Sequence, residues 1–226
     1  MPIMRFAAPF EGVKPVLRGW MHAASAVVAV ILAPLVIAMA PAGTRLVAGL
    51  YTGAIVALFA VSATYHRFSW KPGIRGFWKR LDHSMIFVAI AATYTPVGLF
   101  VLPDSSGHLI LAAVWIGAVV GIATQIIWPA APSWVTIIPY VACGWAILPA
   151  IGQVWDRMEL AGFVLLVLGG LFFSVGAAVY AVKRPDPWPT WFGYHEVFHV
   201  LVTAGVAVHY VTVTFFALPQ GGSGVA

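Results

Sequence analysis

Residues 160–182 read LAGFVLLVLGGLFFSVGAAVYAV, and this stretch decides the fold class. It carries no charged residue and is bounded by Glu159 on one side and Lys183-Arg184 on the other. A helix that crosses a bilayer needs about 20 consecutive apolar residues, and this run supplies them. Outward from it the same pattern recurs at roughly 17–40, 45–67, 81–102, 108–128, 134–154 and 191–216. The expectation is an all-α, polytopic bundle of seven transmembrane helices forming one membrane domain over residues 1–226. Whole-chain composition agrees: 62% of residues are hydrophobic, 8% are charged, and the mean hydropathy is +0.95. A soluble domain carries about 25% charged residues, so this chain could not cover its surface in water and lipid must be its solvent. The net charge of +5 does not point to nucleic acid, because the basic residues sit between apolar runs and not on a soluble face.

Those basic residues set the orientation. Arg5, Lys14 and Arg18, then Arg67, Lys71, Arg75, Lys79 and Arg80, then Lys183 and Arg184 fall on one side, which is ten of the twelve. Only Arg45 and Arg157 fall on the other. The N-terminus and the loops 67–80 and 183–190 are therefore expected in the cytosol, and the C-terminus outside, in the plasma (cell) membrane. Residues 1–16 contain no apolar signal region, so the first run is read as a span that stays. Trp70, Trp78, Trp128, Trp134, Trp155, Trp188 and Trp191 cluster at the expected span ends, as an interfacial belt does.

Other features call only for structural readings. Pro34, Pro96, Pro139 and Pro149 lie inside spans and are expected to kink them. Gly49/Gly53 and Gly117/Gly121 form GxxxG pairs, read as close packing within the bundle. The single cysteine, Cys143, excludes an internal disulfide framework and a cysteine-based zinc site. The tail Gln220–Ala226 is expected to be disordered.

Ionisable groups inside a membrane are costly, and each is a functional hypothesis by default. Here they are His22, His66, Asp82, His83, His195, Glu196, His199 and His209, with His108 at a span boundary. His66 ends the second span, Asp82 opens the third, and His195 and His199 lie in the first two turns of the seventh. Alternation of span direction brings all of these to the cytosolic level of the bilayer. His195 and His199 are i, i+4 and share a helical face, so they could chelate one divalent metal. A third histidine, His66, would complete a set of three imidazoles and leave a fourth position for water, the pattern of a catalytic zinc site. Ser62 is i−4 from His66 and could hydrogen-bond that water or a substrate oxygen. Asp82 could accept a proton from it. Neutral imidazoles without a thiolate suit zinc, although iron, nickel and copper also accept such ligands. His22, His83, His108 and His209 are read as ordinary interfacial or helix-bonded histidines. Two alternatives stay open. A haem could use His195 and His209, four turns apart, although His209 lacks a facing partner. His-Glu-Val-Phe-His at 195–199 also fits the zincin pattern HExxH, with Glu196 as base. Yet Glu196 points about 100° away from His195 on the helix and is better placed for a supporting hydrogen bond.

Ser62-Ala-Thr-Tyr-His66, Asp82-His83-Ser84-Met85-Ile86-Phe87 and His195-Glu196-Val197-Phe198-His199 resemble, in order and at the matching span ends, the three signatures of the hemolysin III family. That family belongs with the progestin and adipoQ receptors and, more distantly, the alkaline ceramidases. The resemblance covers essentially the whole chain. It implies zinc on His66, His195 and His199, with Asp82 and Ser62 organising a water. Arg18-Gly19-Trp20-Met21-His22 looks like the family's N-terminal region but lacks the asparagine often found there. The ceramidase relatives imply zinc-assisted hydrolysis of a membrane lipid amide. The receptor relatives imply sensing, and the family name implies membrane lysis, although no pore-lining stripe of charge is present. A structural zinc that clamps three helices, with Asp82 as fourth ligand, is the non-enzymatic alternative.

Overall fold

The computed structural model describes residues 14–128 and 131–222. Arg5 of the charge count and residues 223–226 of the tail lie outside the described residues. The chain folds into α1 (Trp20–Met39), α2 (Arg45–Arg67), α3 (Pro72–Pro96), α4 (Asp104–Ile127), α5 (Ser133–Gly144), α6 (Ile151–Arg157), α7 (Leu160–Val182) and α8 (Tyr194–Thr212). With their short flanking turns they make seven segments long and apolar enough to span a membrane, α5 and α6 together forming the fifth. The seven-helix membrane bundle expected from the hydrophobic runs is the one observed.

Consecutive helices pack side by side from α1 to α4. The α5 helix bridges α3, α4 and α7, α7 pairs with α8, and α8 returns to α1, so the spans close a ring. The third span is its axis, with 61% of its apolar window buried against 11% for the fifth. One core cluster joins α1, α2, α3 and α8 through Ala29, Ile55, Phe59, Ala92 and Val206. A second joins α3, α4 and the fifth span through Phe87, Val114, Ala118, Ile147 and Val154. Large apolar side chains such as Ile31, Leu46, Leu109, Ile127 and Val182 stay exposed on the outside. A contiguous apolar surface of that kind is stable only against lipid.

Three boundaries depart from the sequence reading, each for a local reason. The basic stretch 67–80 is not a loop over most of its length. Pro72 occupies the first position of α3, where its missing N–H costs nothing, and the helix runs from there with Trp78 stacked on Trp70 at 5.1 Å. Asp82 therefore lies well inside α3, about 15 Å from its start, and does not open it. The fifth span is two helices and not one kinked helix. It breaks at Trp145–Ile147, where the Tyr94 hydroxyl donates to the Gly144 carbonyl (2.7 Å) and accepts from the Ile147 N–H (3.1 Å). Those two bonds satisfy backbone groups that lipid could not. The last span continues past Thr212 as a wide turn at Val213–Ala217 and a tight one at Leu218–Gly222, so Gln220–Gly222 are ordered helix and not tail. The same widening occurs at Val97–Val101, and each wide turn precedes a proline, Pro103 or Pro219, whose ring clashes with the regular α-helical carbonyl.

The glycine pairs divide. Gly121 lets the Phe87 ring of α3 lie where a Cβ would be, and Gly117 does the same for Cys143 of α5. Gly53 has nothing within 4 Å and faces outward, so the Gly49/Gly53 pair makes no such close contact.

Candidate metal centre

At the end of the bundle where α1 and α8 begin and α2 ends, the sequence-predicted residues meet. His66 occupies the last turn of α2, and His195 and His199 occupy the first turns of α8. Their rings stand 4.8 Å (His66–His195), 5.0 Å (His66–His199) and 4.6 Å (His195–His199) apart between centroids. One ligand nitrogen from each lies within 4.8 Å of the others. Binding of one ion about 2 Å from each nitrogen would draw the three to within about 4 Å of one another, a small movement of the imidazoles. The chemistry of the donors fits as well. The Nε2 atom of His195 is buried and has no hydrogen-bond partner among the described residues, a costly condition that a metal bond would relieve.

Asp82 comes from α3 and is buried, with Oδ2 3.7 Å from His66 Nε2 and 3.5 Å from His83 Nδ1. Ser62 lies one turn before His66 on α2 and is also buried. Its Oγ is 2.8 Å from His22 Nδ1. The His22 ring stacks on that of His199 at 3.9 Å and an interplanar angle of 14°.

His22 and His83 are thus part of the centre, against the reading that made them ordinary helix histidines. A signal for His22 was present: it lies in the first turn of α1, the same bilayer level that singled out the other three. His83 adjoins Asp82 in sequence and turns its Nδ1 back to the same carboxylate. His209 does match its reading, with Nε2 3.0 Å from the Leu166 carbonyl oxygen. Its ring packs closely on Gly169, where even a Cβ would come within 2.2 Å of it. His108 is exposed.

The framework around the centre is built from charge and backbone. Glu196 is almost wholly buried, accepts the Gly193 N–H at 2.9 Å and pairs with the Arg18 guanidinium. The Asp186 carboxylate accepts the Tyr194 N–H at 2.9 Å. Two carboxylates therefore satisfy N–H groups at the positive end of α8, which holds the first turn carrying His195. Glu196, engaged in this way, is a supporting residue and not the free base that a zincin needs. The segment before α1 is tied over the same end: Val16 and Leu17 donate their N–H groups to Thr190 and Trp191 at 3.0 and 3.2 Å. Arg67 lies over the Trp20 ring, 4.2 Å from its centroid.

Gly19 joins this segment to α1 with φ 81° and ψ −5°, and a Cβ there would stand 2.9 Å from the Cβ of His66. The left-handed conformation alone costs a non-glycine residue about 1–2 kcal/mol. The close approach adds to that by pushing directly on a candidate ligand. Gly19→Ala should therefore lower both the thermal midpoint of the purified protein and its bound metal. An unchanged midpoint would show that the turn is not strained by a side chain.

From the histidines an elongated cavity of about 240 Å³ runs into the bundle. Ser62, His66, Asp82, His195 and His199 line one end, and Ile55, Ile86, Phe173 and Val202 are among the apolar residues along it. The candidate polar groups thus open onto a cavity within the bundle that apolar side chains line for the larger part.

Comparison with known proteins shows the family. Hemolysin-3 of Bacillus cereus is 32% identical over 148 residues, 66% of this chain and 65% of that protein. The Hemolysin-3 homolog of Bacillus subtilis (strain 168) is 33% identical over 138 residues, 61% and 62% of the two chains. In both cases just under two thirds of the relative's length is spanned. The Adiponectin receptor protein of Drosophila melanogaster is 34% identical over 69 residues, 28% of this chain and 16% of that one. No solved structure matches. A family model described as "Haemolysin-III related" matches residues 10–210, a range that contains every residue of the centre, and the chain belongs to that family of integral membrane proteins.

Proposed function

We propose that His66, His195 and His199 hold one zinc ion and that the protein hydrolyses a long-chain lipid amide at this centre, on the cytosolic side of the plasma membrane. The observation that carries this reading is the position of the triad, with Ser62 and Asp82 beside it, at the head of an apolar cavity inside the membrane. Zinc, when bound, would supply a nucleophile at neutral pH by lowering the pKa of a water toward 7 and would polarise the amide carbonyl.

The chain's own groups account for the remaining steps. The Asp82 carboxylate takes the proton released as the nucleophile attacks and returns it to the leaving amine. With its proton on Nδ1, His22 donates to Ser62 Oγ, which frees the Ser62 hydroxyl hydrogen to donate to the carbonyl oxygen as negative charge develops there. Stacking on His199 fixes the His22 ring, and thereby the direction of that hydroxyl. The apolar walls hold the acyl tail and exclude bulk water, which strengthens each of these interactions.

The 3.7 Å separation of Asp82 from His66 supports a second reading, a closed centre in which Asp82 is a fourth ligand and the metal only clamps α2, α3 and α8. Incubating the zinc-loaded protein with a long-chain N-acyl lipid separates the two. Fatty acid release is the expected result. No release from any amide or ester lipid would favour the clamp.

The sidedness rests on the ten-to-two division of Lys and Arg. A reporter fused after Gln220 should behave as extracellular, and one inserted between Phe68 and Lys71 as cytosolic. The reverse pattern would move the centre to the outer face.

A further inference from the structure

The cavity reaches the surface beside the candidate metal centre, between α3, α4 and α5. Lys79, His83, Ile86 and Ile90 line it at intervals of four, three and four residues, so one continuous stripe of α3 faces it. Lys79 is the outermost of these and is exposed. Trp128, which caps α4 and also lines the cavity, is 52% exposed. A cavity lined by exposed side chains opens where they stand, and a tryptophan at a span end sits at the level of the lipid headgroups. Lys79 is the only lysine or arginine lining the cavity among the described residues. Arg75 stands one turn earlier on the same stripe, and neither cation pairs with a carboxylate among the described residues. Like charges at that spacing repel, and an anion held beside them would offset the repulsion. Across the mouth, Gln125 of α4 donates to Thr136 Oγ1 of α5 at 3.0 Å, which leaves the Thr136 hydroxyl hydrogen available to a ligand.

Side chains on a helix lean toward its N-terminus, which for Lys79 is the direction of the headgroups. Lys79 stands about 4.5 Å of helix rise before Asp82, and its flexible stem extends about 6 Å further. A phosphate two carbons beyond an amide nitrogen lies about 5 Å from that nitrogen, and a hydrogen bond to it adds about 3 Å. With the amide held beside Asp82, such a phosphate falls within reach of the Lys79 ammonium. We propose that Lys79 recognises a phosphate carried two carbons from the amide nitrogen, so that the preferred substrate class is a phosphorylated N-acyl lipid. This rests on the reading of the cavity as a site for lipid amides, and adds to it which headgroup is chosen.

The test uses two sphingosine-based probes with the same fluorescent acyl chain, joined by a sulfonamide in place of the amide so that neither is cleaved. One ends in a free primary hydroxyl and the other in a phosphate monoester at that position. Each is titrated into the full-length, zinc-loaded protein in uncharged phosphatidylcholine nanodiscs and read by energy transfer from the tryptophans. Wild type should bind the phosphorylated probe about fivefold more tightly, the worth of a partly exposed ion pair. The ratio should fall as salt is added. Lys79→Gln should bring the phosphorylated probe down to the neutral one, and Lys79→Arg should restore the difference. Lys71→Gln and Lys183→Gln remove the same charge from the same end of the bundle, away from the cavity, and should keep the preference. Equal binding of the two probes by wild type, a preference that survives Lys79→Gln, or an equal loss in the Lys71 and Lys183 variants, which would mark diffuse attraction to a basic surface, would each overturn the proposal while leaving the lipid cavity intact. Binding of neither probe would overturn both. A preference that depends on Lys79, in a protein that releases no fatty acid from the corresponding amides, would establish the headgroup site and refute only the hydrolase.

Discussion

His199→Ala should lose bound zinc by about two to three orders of magnitude in affinity. A zinc site built from a few protein side chains is worth about 10–16 kcal/mol, so each ligand carries about 3–4 kcal/mol, or about 100- to 1000-fold in Kd. His199 is nearly buried and contributes twice: it completes the set of three imidazoles, and its ring supports that of His22. Equal losses are expected for His66→Ala and His195→Ala, since the three approach one another to similar distances. His108→Ala is the control, because that side chain is exposed and away from the cluster. His209→Ala should also keep its metal, as its ring is bound to the Leu166 carbonyl oxygen. The measurement is metal per chain by elemental analysis, after equilibration against a zinc buffer. Wild-type zinc content in His199→Ala would remove the metal centre, and the hydrolase with it.

The parts of this centre that were legible in the sequence are those that depend on counting. Apolar runs set the number of spans, and the number of spans decides which helix ends share a level, so His66, His195 and His199 could be placed together before any geometry was known. The i, i+4 spacing of the last two then supplied the shared face. What escaped was set by backbone detail. Hydrophobicity marks where lipid begins, but α3 starts earlier, at Pro72, because a helix may leave the membrane without changing course. That is why Asp82, at the start of the apolar run, lies well inside its helix. The fifth span's break at Trp145–Ile147 depends on Tyr94, a residue on another helix that satisfies the freed backbone groups. No local pattern around Pro139 or Pro149 announces that partner. His22 escaped for another reason. A single histidine in an apolar helix usually needs no explanation, and only its contacts with Ser62 and His199 distinguish it from one that does not.

Asp82→Asn should abolish lipid amide hydrolysis, by about a thousandfold or more, while leaving the fold and most of the zinc in place. The amide keeps the size of the carboxylate but cannot accept a proton at neutral pH, and proton transfer by a positioned group contributes about 10²- to 10⁴-fold to rate. Its place beside His66 makes some loss of metal affinity unavoidable. A group that only supports a ligand typically shifts that affinity by about 10–100-fold, so zinc supplied well above Kd still fills the site. If Asp82 is instead a fourth ligand of a closed clamp, the same substitution opens the coordination sphere, and zinc affinity and thermal midpoint fall together. Activity measured at saturating zinc, alongside metal content and midpoint, separates the cases. Lost turnover with retained metal and an unchanged midpoint identifies a proton acceptor, whereas parallel loss of metal and stability identifies a ligand. The burial of Asp82 sharpens the contrast, since a carboxylate enclosed among helices must be matched by positive charge or hydrogen bonds. His83, 3.5 Å away on the same helix, is the neighbour able to supply part of that match without a metal. His83→Ala should therefore depress turnover through Asp82 while leaving the three-imidazole set its zinc.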